Sequence, residues 1–194
     1  MSNLAEKITN RYSDKMKKEL IDGIWYMSPG PSVSHHDVAT GIYSILRRKL
    51  KGKTCKPFID SLEVHFSEND IFVPDVMVVC SKDIIKPNAI YGAPDLIVEV
   101  LSPSSMKHDR ITKKNIYEKH GVKEYWIVDT KHKSIEVYLL ANGKFVQDNI
   151  YTLLTQYEMD GLTEGEKADI IYEFKTSLFD DFTIDIREIF EDID

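Results

Sequence analysis

Two carboxylates fall at places in the chain where a charge is costly. Over residues 72–79 the two-residue period of an extended strand puts Asp75 on the face of Val73, Met77 and Val79. Over residues 96–101 it puts Glu99 on the face of Ile97 and Leu101. Both runs are apolar on either face, the pattern of a buried strand, and an ionised carboxylate there costs several kcal/mol unless a cation or a set of donors faces it. The partner required is a divalent metal, a lysine, or both. Lysine is available on the next element, because Asp109, Lys113 and Tyr117 recur every four residues and share one helix face. If that helix folds back over the strands, Asp75, Glu99 and Lys113 converge. They would then offer two oxygen ligands suited to Mg²⁺ and an ammonium able to orient a water or offset phosphoryl charge. Structural ion pairs occupy such positions as well, so spacing alone leaves both readings open.

These residues need strands and helices to carry them. Short β-rich runs are predicted at 62–66, 72–80, 95–101, 124–129 and 135–140, separated by turn residues. Asp22-Gly23 between two apolar stretches signals a hairpin. Val38, Ile42, Ile45, Leu46 and Leu50 recur at helical spacing and predict a helix over 35–50. A second helix is expected over 109–120, with Asp109 as N-cap and Gly121 as stop. Helical spacing at 4–18 (Leu4, Ile8, Tyr12, Met16) predicts an N-terminal helix, and 184–190 a short one with Ile186, Ile189 and Phe190 on a shared face. The strand, helix, strand run over 95–129 is long enough for a parallel crossover, whereas the earlier connections suit antiparallel pairs. The fold class is therefore α/β (α+β): a mixed β-sheet core flanked by helices.

The bulk numbers exclude several classes. A chain of 194 residues, 42% hydrophobic and 29% charged with 9 Gly and 7 Pro, suits one globular domain over 1–194 rather than a collagen-like or disordered polymer. No apolar run approaches a membrane span, and the first residues lack an export signal, so a cytoplasmic protein with no membrane partner is expected. Cys55 and Cys80 stand apart without a Cys-x-x-Cys partner and are expected to be reduced packing residues. The net charge of −7 is unevenly spread: residues 157–194 carry −10, leaving +3 on the rest. Within that remainder Arg47, Arg48 and Lys49 open a basic run that continues through Lys51, Lys53 and Lys56. A second basic stretch, 107–123, includes Lys107, Arg110 and Lys114. Each is either a solvated face or a phosphate-contacting patch.

Pro74-Asp75, the run from Asp95 through Glu99 to Ser105, the Asp109, Lys113, Tyr117 spacing and the run from Gly121 to Asp129 together resemble the Uma2 family. These are restriction endonuclease-like proteins of the PD-(D/E)XK nuclease superfamily. The resemblance continues upstream through Glu19 to Gly23, Met27 to Pro29 and His35, and downstream to 184–190, covering most of 19–190. It leaves 149–167 as a variable insertion within an acidic C-terminal segment, 151–194. It implies a metal-dependent endonuclease that hydrolyses phosphodiester bonds of nucleic acid, DNA in first place. Mg²⁺ or Mn²⁺ would be held by Asp75, Glu99 and the Val100 carbonyl. The superfamily pattern expects lysine two residues after the acid, where this chain has Leu101. Lys113 is the residue placed to substitute, with Lys114 second. Glu19, His35 and Tyr117 are expected in the same cleft. Arg47, Arg48, Lys49, Lys107, Arg110 and Lys114 are expected on neighbouring phosphates. A nuclease that cuts two strands suits a homodimer. The alternative, favoured by Leu101 and the acidic tail, is an inactive nuclease fold serving as a nucleic-acid-binding or assembly module. Ser102, Ser104 and Ser105 lack the Gly-x-Ser-x-Gly elbow and read as a turn rather than a hydrolase nucleophile.

Overall fold

The structure, a computed structural model, describes residues 16–103, 105–179 and 183–193. Strands β1 (Lys17–Ile21) and β2 (Ile24–Ser28) form the expected hairpin. Asp22 and Gly23 both take positive φ, 49° and 77°, the geometry that a two-residue turn between twisted strands demands. Residues 17 and 18 therefore belong to a strand, not to the helix expected over 4–18, whose first twelve residues lie outside the described ones. Helix α1 (Val33–Lys49) opens on Ser32, whose side chain caps His35 N, and buries Val38, Ile42, Ile45 and Leu46.

The chain then runs through β3 (Lys56–Ile59), β4 (Glu63–His65), β5 (Ile71–Phe72), β6 (Val76–Val79), β7 (Ala89–Tyr91) and β8 (Leu96–Val100). A π-wound turn (His108–Lys113) leads into α2 (Lys114–His120), which stops at Gly121 in the left-handed region. After it come β9 (Glu124–Asp129), β10 (Ser134–Ala141), β11 (Lys144–Thr152), α3 (Gln156–Asp160), α4 (Glu164–Ala168), β12 (Glu173–Lys175), β13 (Thr183–Asp185) and α5 (Ile186–Ile189).

Two sheets carry the fold. The larger has the order β11-β10-β9-β8-β6-β3, and only the β8–β9 pair is parallel, as the crossover length requires. The smaller has the order β2-β1-β5-β4-β7. The mixed sheet flanked by helices thus stands as expected. One face of the large sheet (Val76, Val78, Leu96, Val98, Trp126) packs on α1 and α5. Its other face (Met77, Ile97, Leu101, Tyr125, Ile127) packs on the small sheet and α2 through Phe72, Ile116 and Tyr117. Pro74, lacking an N–H, breaks the expected 72–80 strand, so the chain leaves the small sheet at Phe72 and joins the large one at Val76. Asp75 sits at that corner.

Two further expectations need correction, and one strand was not expected. Cys55 and Cys80 are joined by a disulfide, because the register Lys56 opposite Val79 sets them across from each other at the next pair. Asp109 is not an N-cap: the helix begins earlier, and Asp109 is buried with its carboxylate turned to Lys113. Strand β11 went unforeseen, since its alternation is mostly polar and mostly exposed at a sheet edge.

Candidate active site

The corner at Asp75 and the middle of β8 meet in a buried cluster of acids and ammoniums. Asp75 Oδ2 accepts the Val100 N–H at 2.8 Å and lies 3.3 Å from His35 Nε2. Asp75 Oδ1 accepts from Lys17 Nζ at 2.9 Å, and the same nitrogen is 3.8 Å from Glu99 Oε2. One ammonium therefore spans both carboxylates. Glu99 Oε1 accepts the Tyr117 hydroxyl at 2.7 Å and stands 3.1 Å from Lys113 Nζ. Lys113 completes its surroundings with Glu19 Oε1 and Asp109 Oδ1, each at 3.2 Å. Glu19 Oε1 also accepts the Val73 N–H at 3.2 Å.

Local structure explains the convergence. The hairpin register pairs Lys17 with Ser28 and Glu19 with Tyr26, so Lys17 and Glu19 project from one face of β1. The π-wound turn stacks Asp109 and Lys113 on its inner side, and α2 continues that side to Tyr117. Turns of this kind recur at functional sites. His35 comes from the first turn of α1.

Burial makes the electrostatics severe. Glu99 is 1% exposed, and burial pushes its carboxyl up to about 8, aided by Asp75 and Asp109 and opposed by Lys113 and Lys17. Burial also works against charge on Asp75. There Lys17, the His35 contact and Lys113 prevail and hold the carboxyl well below the usual range. Lys17 and Lys113 both stay protonated despite burial, Lys17 held up chiefly by Asp75 and Glu99, Lys113 by Glu99, Glu19 and Asp109. Burial, then Glu99, raises the Tyr117 hydroxyl well above its ordinary value, so it remains a donor.

The cluster's oxygens are of the type that a hard divalent cation takes. Glu19, Asp75, Glu99 and Asp109 bring four carboxyl groups against the ammoniums of Lys17 and Lys113. Burial meets part of the difference by favouring a proton on Glu99. Among the described residues no three His, Cys, Asp or Glu side chains gather closely enough to hold an ion by themselves. Mg²⁺ needs only one or two carboxylates with carbonyl and water oxygens. Val100 points its N–H, and with it its carbonyl, to the Asp75 side of β8.

Of the expected site residues, Asp75, Glu99, Lys113, Glu19, His35 and Tyr117 are brought together here. Lys17 was missed. Leu101 is 7% exposed in the apolar core, so no cation comes from that position. Lys114 lies over the Tyr138 ring at 3.7 Å from its centroid, and Arg110 pairs with Glu136 at 2.8 Å. Both are turned from the acids. Lys107 is exposed. Arg47, Arg48 and Lys49 close the far end of α1, about 20 Å along the helix from His35 at 1.5 Å per residue. Arg48 there pairs with Glu188.

A model of the Uma2 family, described as "Putative restriction endonuclease", matches residues 6–166. The chain belongs to the Uma2 family. This Uma2 chain is 28% identical over 159 residues to the Synechocystis protein slr1290, itself uncharacterised, across 80% of this chain and 83% of that one. Its fold is similar to the crystal structure of "a putative nuclease belonging to DUF820" from Anabaena variabilis. The TM-score is 0.68 at 19% identity, over 90% of this chain and 89% of that one. Among the described residues of the Uma2 chain, no helix is long and apolar enough to cross a membrane.

Proposed function

We propose that this protein is a metal-dependent endonuclease that hydrolyses phosphodiester bonds of nucleic acid, with DNA as first candidate. The observation that carries the reading is the convergence of Asp75, Glu99 and Lys113 in one buried cluster with more carboxyl groups than ammoniums. Membership of the Uma2 family supports it. Asp75, Glu99 and the Val100 carbonyl would hold Mg²⁺ or Mn²⁺. Such an ion supplies Lewis-acid polarisation of the phosphate and lowers the pKa of a water. Lys113, charged and fixed by the carboxyl groups of Glu19, Glu99 and Asp109, would offset charge on the phosphoryl oxygens. Tyr117 holds Glu99 Oε1, and His35 together with the Val100 N–H holds Asp75 Oδ2. Lys107 would meet a neighbouring phosphate, while Arg47, Arg48 and Lys49 would meet a backbone only well away from the scissile bond.

A second reading is favoured by one observation. Lys17 Nζ already spans Asp75 and Glu99, as in a nuclease fold kept as a binding module with an internal ammonium in place of an ion. Hydrolysis separates the readings. Labelled DNA and RNA, single- and double-stranded, are incubated with Mg²⁺ or Mn²⁺ and either the protein or its Asp75→Ala variant. The proposal expects cleavage lost in the variant and in chelator. Cleavage that the substitution leaves unchanged would contradict it.

A further inference from the structure

At the rim of the acid cluster two of the expected bases do not face the acids, since Arg110 and Lys114 turn to Glu136 and Tyr138. An aromatic pair stands there instead. Tyr26 lies directly opposite Glu19 in the β1–β2 register, on the same face, and is 39% exposed. Its ring meets that of His108 edge to face, with centroids 5.3 Å apart, and His108 immediately precedes Asp109 in the π-wound turn. The pair thus joins the two elements that supply Glu19 and Lys113.

Strand β2 is the outer strand of its sheet; Ile24, 60% exposed, shares the face of Tyr26, while Trp25 and Met27, 59% and 61% exposed, stand on the opposite face. Natural edge strands are commonly guarded by charge or proline, and exposed apolar side chains are commonly scattered. A run of this kind marks a contact surface. An exposed cation, Lys107, precedes His108, whereas Lys18, opposite Met27, stands on the other face of the hairpin. An exposed aromatic face with an ammonium beside it suits a strand whose bases are unpaired, because every base offers a π-face and every linkage a negative charge. In a duplex those faces are already stacked.

We propose that Tyr26 and His108 form a platform for an unpaired nucleobase next to the phosphodiester bond acted on, making single-stranded or unpaired nucleic acid the substrate class. The inference rests on the hydrolytic reading above but is tested by binding alone. Anisotropy of a labelled single-stranded oligodeoxynucleotide, the same sequence as a duplex, and an abasic strand of equal length is measured in chelator with the full chain. The single strand should bind tighter than both others. Tyr26→Ala should weaken it about 5- to 150-fold, the span of about 1–3 kcal/mol per stacked base, while Tyr26→Phe retains affinity. Equal affinity for the abasic strand, which needs no variant, would overturn the platform. So would Tyr26→Ala leaving single-strand affinity unchanged, or acting only to dissolve a dimer seen by sedimentation, which would make β2 a contact between two copies of this chain. Loss of metal-dependent hydrolysis with stacking intact would instead strike the catalytic reading.

Discussion

Lys17 Nζ donates to Asp75 Oδ1 at 2.9 Å from a side chain that is one-fifth exposed, so the acid most firmly held ionised owes that state chiefly to a residue at the mouth of the cluster. The same nitrogen reaches Glu99. An ammonium and a divalent ion sharing those oxygens repel each other, and one must yield.

Removing that ammonium should therefore help a metal. Lys17→Met is expected to tighten Mn²⁺ binding about tenfold, on the order of 1.4 kcal/mol, read by calorimetry. Unchanged or weaker affinity would show that the lysine supports the ion's site rather than competing for it.

Stability should respond to pH through Glu99. Its carboxyl rises from 4.5 to about 8, so the folded chain keeps a proton that the unfolded chain has released. Stability therefore declines as pH rises from about 4.5 through about 8. The effect is on the order of a few kcal/mol, several degrees in Tm for a chain of this size. Asp75, depressed, acts in the opposite sense and only in acid, and raised Lys17 and Lys113 lose their contributions only in stronger alkali. Melting in chelator between about pH 5 and 9 follows this decline, and Glu99→Gln should flatten the slope. A slope unaltered by that substitution would refute the assignment.

Lys113 and Lys17 make different predictions for turnover. Lys113→Met leaves three carboxylates without their shared cation. It should cost about 3–5 kcal/mol of stability and, at a temperature where both proteins are folded, lower hydrolysis at least about a hundredfold. Full activity in that variant would move the catalytic cation to Lys17.

Much of this arrangement was legible in the chain because it follows local periods. The strand period of two put Asp75 and Glu99 among apolar neighbours, and spacing by four put Asp109, Lys113 and Tyr117 on one face. What escaped was set by pairing between distant segments. Lys17 continued the helical pattern of the residues before it, yet the Asp22-Gly23 turn draws it into the hairpin opposite Ser28. Cys55 meets Cys80 only through the β3–β6 register, 25 residues apart. The basic run at 47–49 read as a patch on neighbouring phosphates because charge clustering carries no position, and the length of α1 sets it well away from His35.

The most direct test of a shared ion at the acid cluster is a Mn²⁺ titration of the protein and of the Asp75→Ala/Glu99→Ala double variant, with both confirmed folded by circular dichroism. The account predicts one ion bound per chain and no binding in the double variant. A protein that takes up no divalent ion, or a double variant that binds it equally well, would contradict it.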